Sequence, residues 1–302
     1  MSWDSYKAAL SLKDSRGAPA ALSYIEQLPS VEQSFAAVRR LKAIYSADVG
    51  RSDDAIAILI ELSEADPEDY WSRFSLFQLL SKLRRYEEAQ PHMRKAHAIV
   101  GWRESVEHGY VLTDDYFSPN IPRWTSYFAD LVGKPNLRAL EIGSWQGGSA
   151  SWMLDKVLTA PDAQLTCIDT FEGSSEHAAW IGSLPLTIEE LFNNNIQRTG
   201  AAQKVNILKG YSQAVLRSVT GTYDLIYIDG AHEAKYVIQD ATLCWPLLRK
   251  DSLLLFDDYR FTFPKNPDQN TALAIDFFIE VMKDEIEVLD KDSQVLIRKK
   301  ID

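Results

Sequence analysis

Leu140-Glu141-Ile142-Gly143-Ser144-Trp145-Gln146-Gly147-Gly148-Ser149-Ala150 is the stretch on which the fold turns. An apolar run over 138–142 stops at Gly143, and four residues later Gly147 opens a segment of small residues suited to the start of a helix. Strand, glycine turn and helix form the first unit of a parallel sheet whose ligand lies at the carboxyl ends of the strands. Gly143 and Gly147 permit a tight turn with close backbone approach, and the following helix offers unpaired N–H groups to a carboxylate. The spacing G-x-x-x-G, with Glu141 two residues ahead of the first glycine, departs from the G-x-G-x-x-G dinucleotide pattern. It therefore lowers the reading as an NAD enzyme.

Downstream, short apolar runs alternate with helical stretches. Strands are predicted at 138–142, 164–168, 204–208, 223–228 and 252–256, with helices between them. That alternation predicts an α/β, Rossmann-like doubly wound sheet covered on both faces. A last pair, 285–289 and 294–298, is joined by Asp290-Lys291-Asp292-Ser293, a hairpin-like connection that adds an antiparallel strand at the sheet's end. Asp169 closes the second strand, where an acid can hold two ribose hydroxyls, a placement shared with NAD enzymes.

Gly210-Tyr211-Ser212-Gln213 follows the third strand. Together with E-x-G-x-x-x-G-x-S at 141–149 and the acidic positions farther on, it resembles catechol O-methyltransferase and its metal-dependent relatives over residues 137–260. The resemblance implies a class I S-adenosylmethionine-dependent O-methyltransferase, a group whose sheet ends in an antiparallel strand. It implies that Glu141 shapes the strand-one loop and that Gly143 approaches the methionine amino group. Ser149 would meet the methionine carboxylate, Asp169 the ribose hydroxyls, and Ser212 with Gln213 the adenine edge. Trp145 stands where those enzymes carry a smaller aromatic ring, and core packing or cofactor contact would each explain it.

The fourth strand ends in Tyr227-Ile228-Asp229-Gly230-Ala231-His232 and the fifth in Phe256-Asp257-Asp258-Tyr259. Adjacent parallel strands would gather Asp229, Asp257 and Asp258 at one sheet edge, where they repel and raise one another's pKa values. A hard divalent cation resolves this, and Mg²⁺ is the usual choice. Alternatively, one of Asp257 and Asp258 points to solvent or caps the next turn. His232 lies three residues after Asp229, beside this cluster. In the enzymes of the resemblance a Lys holds that offset in catechol-type members, and a His holds it in relatives that methylate macrolide sugars. A further sugar-methylating subgroup carries an Asp two residues after the metal Asp, and that position is Ala231 here. The resemblance thus implies His232 as general base, removing the proton of a hydroxyl whose acidity the metal raises. The segment 172–180 could close over the pocket. Trp124 and Trp180 are candidate sugar platforms or core aromatics. His92, His97, His108 and His177 read as surface or packing residues.

Residues 1–100 read as helices. Ala21, Ala55 and Ala89 are 34 residues apart, and so are Ile25, Leu59 and Met93. This period resembles tetratricopeptide repeats, although it also suits a plain helical bundle, and its work would be packing, self-association or binding a protein partner. The division expected is a tetratricopeptide-like domain at 1–100, a connector with a cap helix at 101–136, and a methyltransferase domain at 137–302. A net charge of −11 argues against nucleic acid or an anionic membrane as the main partner and leaves a small-molecule or sugar acceptor. No apolar run is long enough to span a bilayer, and the N-terminus does not read as a signal peptide. Cys167 and Cys244 in apolar surroundings suit a cytoplasmic protein. Two other classes remain: an NAD-dependent oxidoreductase, and a non-catalytic repeat scaffold with a degenerate methyltransferase domain.

Overall fold

The computed structural model describes residues 2–173 and 181–301, and the chain divides into two compact units, Met1–Pro122 and Arg123–Asp302. The first is all helix: α1 (Ser2–Arg16), α2 (Ala18–Glu26), α3 (Ser30–Gln33), α4 (Ala36–Asp48), α5 (Ser52–Ala65), α6 (Tyr70–Lys82), α7 (Tyr86–Ile99) and α8 (Glu104–His108). The spacing of apolar residues sets the packing. Ala21, Ala55 and Ala89 are fully buried, and Ile25, Leu59 and Met93 lie one turn farther on in the same cores. The helices keep the same period, with α1, α4 and α6 beginning 34 residues apart and α2, α5 and α7 doing likewise.

His97 packs as expected, yet more elaborately than sequence suggests. It is fully buried, stacked on Trp102, with Nδ1 2.6 Å from Ser105 Oγ and Nε2 2.8 Å from Asp115 Oδ2. Asp115 Oδ1 in turn accepts the Phe117 and Ser118 N–H groups. This network fastens the chain after α7 to the helical core, so Trp102, Tyr110 and Leu112 belong to the first unit. The boundary between the two compact units lies at Pro122, within the expected connector of 101–136.

The second unit is a seven-stranded sheet of order β3-β2-β1-β4-β5-β7-β6. Its strands are β1 (Arg138–Ile142), β2 (Gln164–Asp169), β3 (Val205–Lys209), β4 (Tyr223–Ile228), β5 (Leu248–Phe256), β6 (Ile286–Lys291) and β7 (Val295–Lys299). The first five are parallel, and β7 runs antiparallel to both β5 and β6. After α9 (Ile121–Tyr127), which spans the unit boundary, the helices are α10 (Gly148–Lys156), α11 (Ile188–Arg198), α12 (Ser212–Val215), α13 (Ala234–Cys244) and α14 (Thr271–Val281). The central strands β1 and β4 are buried along nearly their whole length, as a sheet covered by helices requires. Thr187 and Glu190 form a reciprocal capping box that starts α11.

Strand ends shift by a residue or two from expectation, and β5 begins four residues early. Arg249-Lys250-Asp251 carries no apolar signal, and it is the pairing of Leu248 with Tyr223 that extends the strand. Among the described residues no helix is long and apolar enough to cross a membrane.

Candidate active site

The strand order reverses between β1 and β4, so the crevice beyond their carboxyl ends is the natural ligand position. Backbone ladders run past the strands into that edge. Gly143 N–H donates to Ile168 O, Asp229 N–H to Ile142 O, and Asp257 N–H to Ile228 O. The loop after β1 therefore lies tight against the end of β4. A Cβ built on Gly143 would meet the Asp229 carbonyl oxygen at 1.8 Å, and the residue sits at φ +85°. Glycine is required here by the neighbouring strand as well as by any ligand.

Glu141 is fully buried and accepts the hydroxyls of Ser144, at 2.6 Å, and of Ser149. Burial pushes its carboxyl up to about 7, against the hydrogen bonds from Ser144 and Ser149 that pull it down. The folded state thus holds this proton over a range where the unfolded chain has released it, so the stability contributed by the group falls as pH rises from about 4.5 to about 7. We expect Glu141→Gln to lose roughly 2 kcal/mol less stability than the wild type between pH 5 and pH 8. Urea melts of both proteins at the two pH values check this, and parallel losses would contradict it.

Ser149 has its hydroxyl committed to Glu141, so its offer to a ligand carboxylate is the N–H donors of the first turn of α10. Asp169 fastens the same loop: Oδ2 accepts Ser144 N–H at 2.7 Å and Trp145 N–H at 2.9 Å, and Oδ1 accepts Phe171 N–H. Oδ1 keeps lone-pair capacity for a hydroxyl. Trp145 holds φ +45°, a strained conformation of the kind that clusters at binding sites. On the other flank, Gly210 N–H donates to Asp169 O, which sets the start of α12 beside β2. There Ser212 Oγ lies 2.7 Å from Asp240 Oδ1 and 3.3 Å from Gln213 Oε1.

At the ends of β4 and β5 the acids separate into two layers. Asp229, His232 and Asp258 bring one ligand atom each to within 4.8 Å of one another, and His232 Nε2 is 2.9 Å from Asp258 Oδ2. Asp257 faces inward instead: Oδ2 accepts Gln294 Nε2 at 2.9 Å and the Tyr227 hydroxyl, and Oδ1 accepts Asp258 N–H. Tyr227 Oη also lies 2.8 Å from Asp229 Oδ2. A phenol has one proton and cannot serve two carboxylates, so the pair is short of positive charge. Burial, then Asp257 and Asp258, push Asp229 well above the usual carboxylate range, and burial followed by Asp258 raises Asp257. Two carboxylates and an imidazole around such a deficit fit a divalent cation.

Three contributors escaped sequence reading. Tyr227 could have been found, because it lies two residues before Asp229, which directly follows β4, and its hydroxyl reaches that carboxylate at 2.8 Å. Gln294, fully buried between Asp257 and Trp124 Nε1, and Asp240 on α13 had no local signal. Trp124 is fully buried, edge-on to Tyr227 and Trp152, so of its two readings it takes core packing. Trp180, His177 and most of the expected closing segment lie outside the described residues.

A family model described as a methyltransferase domain matches residues 140–259. The O-methyltransferase hkm8 of Aspergillus hancockii is 27% identical over 143 residues, covering 47% of this chain and 49% of that protein. An uncharacterized protein, R132 of Acanthamoeba polyphaga mimivirus, is 27% identical over 141 residues, covering 44% of this chain and 56% of that protein. The chain thus spans about half the length of these curated relatives. Among solved structures, the O-methyltransferase TomG of Streptomyces achromogenes in complex with S-adenosylmethionine is similar at a TM-score of 0.47 and 17% identity, covering 72% of this chain and 98% of that one. The similarity to a methyltransferase domain thus falls on the centre of the second unit.

Proposed function

We propose that the chain is an S-adenosylmethionine-dependent O-methyltransferase that transfers the methyl group to a hydroxyl of a small molecule or sugar with the help of a divalent cation. The convergence of Asp229, His232 and Asp258 at the carboxyl edge, next to the loop after β1, carries this reading. On the cofactor side, the α10 N-terminus and Ser149 would take the methionine carboxylate, Gly143 the amino group, Asp169 the ribose, and Ser212 with Gln213 the adenine edge, with Glu141 bracing the loop. Asp229, Asp258 and Asp257 would hold the cation, with Mg²⁺ the expected ion. When bound, it would stabilise negative charge on the acceptor oxygen.

His232 is the proposed base. Its Nε2 faces Asp258, which orients the ring for taking the acceptor's proton. The same 2.9 Å approach supports a second reading, in which His232 ligates the cation and Asp257, engaged by Tyr227 and Gln294, does not. Mg²⁺ prefers oxygen donors and so favours His232 as base, whereas a softer ion would favour it as ligand. The first unit, with its 34-residue period, is proposed as a tetratricopeptide-like module for a protein partner or self-association. The buried, unpaired Cys167 and Cys244 support a reducing, cytoplasmic location.

The test uses the full chain. Calorimetry is expected to show binding of S-adenosylhomocysteine and not of NAD, and a panel of glycosides and catechols should accept a labelled methyl group in a chelator-sensitive reaction. Binding of NAD alone would reverse the reading to an oxidoreductase. Cofactor binding with no transfer to any acceptor would favour the scaffold, and transfer insensitive to chelators would remove the cation.

A further inference from the structure

Asp240 sits on α13 with 2% of its surface exposed, outside the set of groups assigned above. Among the described residues its side chain is hydrogen-bonded to Ser212, whose hydroxyl lies 2.7 Å from Oδ1. Its other oxygen faces Gly230, where an added Cβ would come within 3.6 Å. Burial pushes the carboxyl up to about 6, against the hydrogen bond from Ser212 that pulls it down, so above that pH Asp240 accepts hydrogen bonds and donates none.

Ser212 has one proton to give. Asp240 Oδ1 at 2.7 Å and Gln213 Oε1 at 3.3 Å compete for it, and the shorter, charge-assisted bond takes it. With its proton drawn into the protein, Ser212 Oγ is left with lone pairs only, and a ligand meeting it must bring a donor. Adenine carries such a donor in its 6-amino group. The 6-oxo base hypoxanthine, of nearly the same shape, presents an acceptor at that position and leaves two oxygens facing each other without a proton.

We propose that Asp240 is a positioning residue that fixes Ser212 as an acceptor and so makes the site selective for a 6-aminopurine over a 6-oxopurine cofactor. This rests on the reading of Ser212 as the contact to the base edge, given above as part of the proposed function.

The experiment measures affinity by calorimetry on the full-length protein at pH 8, with S-adenosylhomocysteine and its 6-oxo counterpart, S-inosylhomocysteine. The wild type is expected to prefer the adenosyl ligand by about tenfold to a hundredfold, the scale of one mismatched hydrogen bond. In Asp240→Ala the hydroxyl is free to turn outward, and the preference should shrink to within about threefold. Ser212→Ala, a half-buried position that tolerates the change, should shrink it similarly and serves as the second variant should Asp240→Ala fail to fold. The readout is the ratio of the two affinities. An Asp240 that merely supported the fold would weaken both ligands by one factor and leave the ratio intact, and that result would overturn the proposal. So would equal binding of the two ligands by the wild type. Failure of the wild type to bind either ligand would instead sink the cofactor reading itself.

Discussion

Replacing His232 by Ala is expected to slow methyl transfer by roughly a hundredfold or more, the usual contribution of a general base, while Mg²⁺ affinity stays within about twofold. The imidazole must be neutral to accept a proton, so the wild-type rate should rise with pH until His232 is deprotonated, and the variant should lose that rising limb. Asp258→Ala provides the contrast. Asp258 is both a proposed ligand and the partner of His232 Nε2, so its loss should remove cation binding together with activity. Cation titrations by calorimetry need no acceptor and separate the two roles of the histidine. If His232→Ala abolishes cation binding, the ring is a ligand and the base lies elsewhere. If the variant keeps the wild-type rate and pH profile, the base assignment is refuted.

Gly143→Ala is expected to cost about 3–5 kcal/mol of stability, a large part of the 5–15 kcal/mol that holds a typical domain. Two penalties combine. An alanine at φ +85° is conformationally strained, and its Cβ would stand 1.8 Å from the Asp229 carbonyl oxygen and 2.5 Å from its carbon. Both are backbone atoms, which cannot swing aside as a side chain would. Gly200→Ala isolates the first penalty, because Gly200 also has positive φ, +69°, but nothing within 4 Å of the added Cβ. That variant should cost only about 1 kcal/mol. Urea unfolding of the pair measures the difference, and equal losses would show that the tight seating of the loop on β4 is not real. Since the displaced group is the backbone of Asp229, Gly143→Ala protein that does fold should also bind the cation more weakly.

Much of this architecture is written locally. The central parallel strands β1 and β4 announce themselves as largely apolar runs because most of their positions are buried. The glycines at 143 and 147 mark the turn because only glycine takes such backbone angles cheaply. The 34-residue spacing of the buried alanines matches the 34-residue spacing of the helix starts. The sequence likewise sends Asp229, Asp257, Asp258 and His232 to one sheet edge, since adjacent parallel strands bring their ends together, and Asp229, His232 and Asp258 bring ligand atoms within 4.8 Å of one another there.

What the sequence determined by itself is therefore periodicity and adjacency: two units of different class, a sheet with its ligand edge, and an acidic cluster beside one histidine. Tertiary structure alone decided how the polar groups are shared. Asp257 and Asp258 are neighbours in the chain with the same carboxylate chemistry. Gln294, brought by the antiparallel β7, and Tyr227 on β4 claim one of them, while His232 takes the other. Ser212 meets Asp240 across 28 residues, and Trp124 meets Gln294 across 170. A hydrogen bond is satisfied by whichever partner the packed core delivers within about 3 Å, and no spacing along the chain encodes that partner when strands and helices from distant segments supply it.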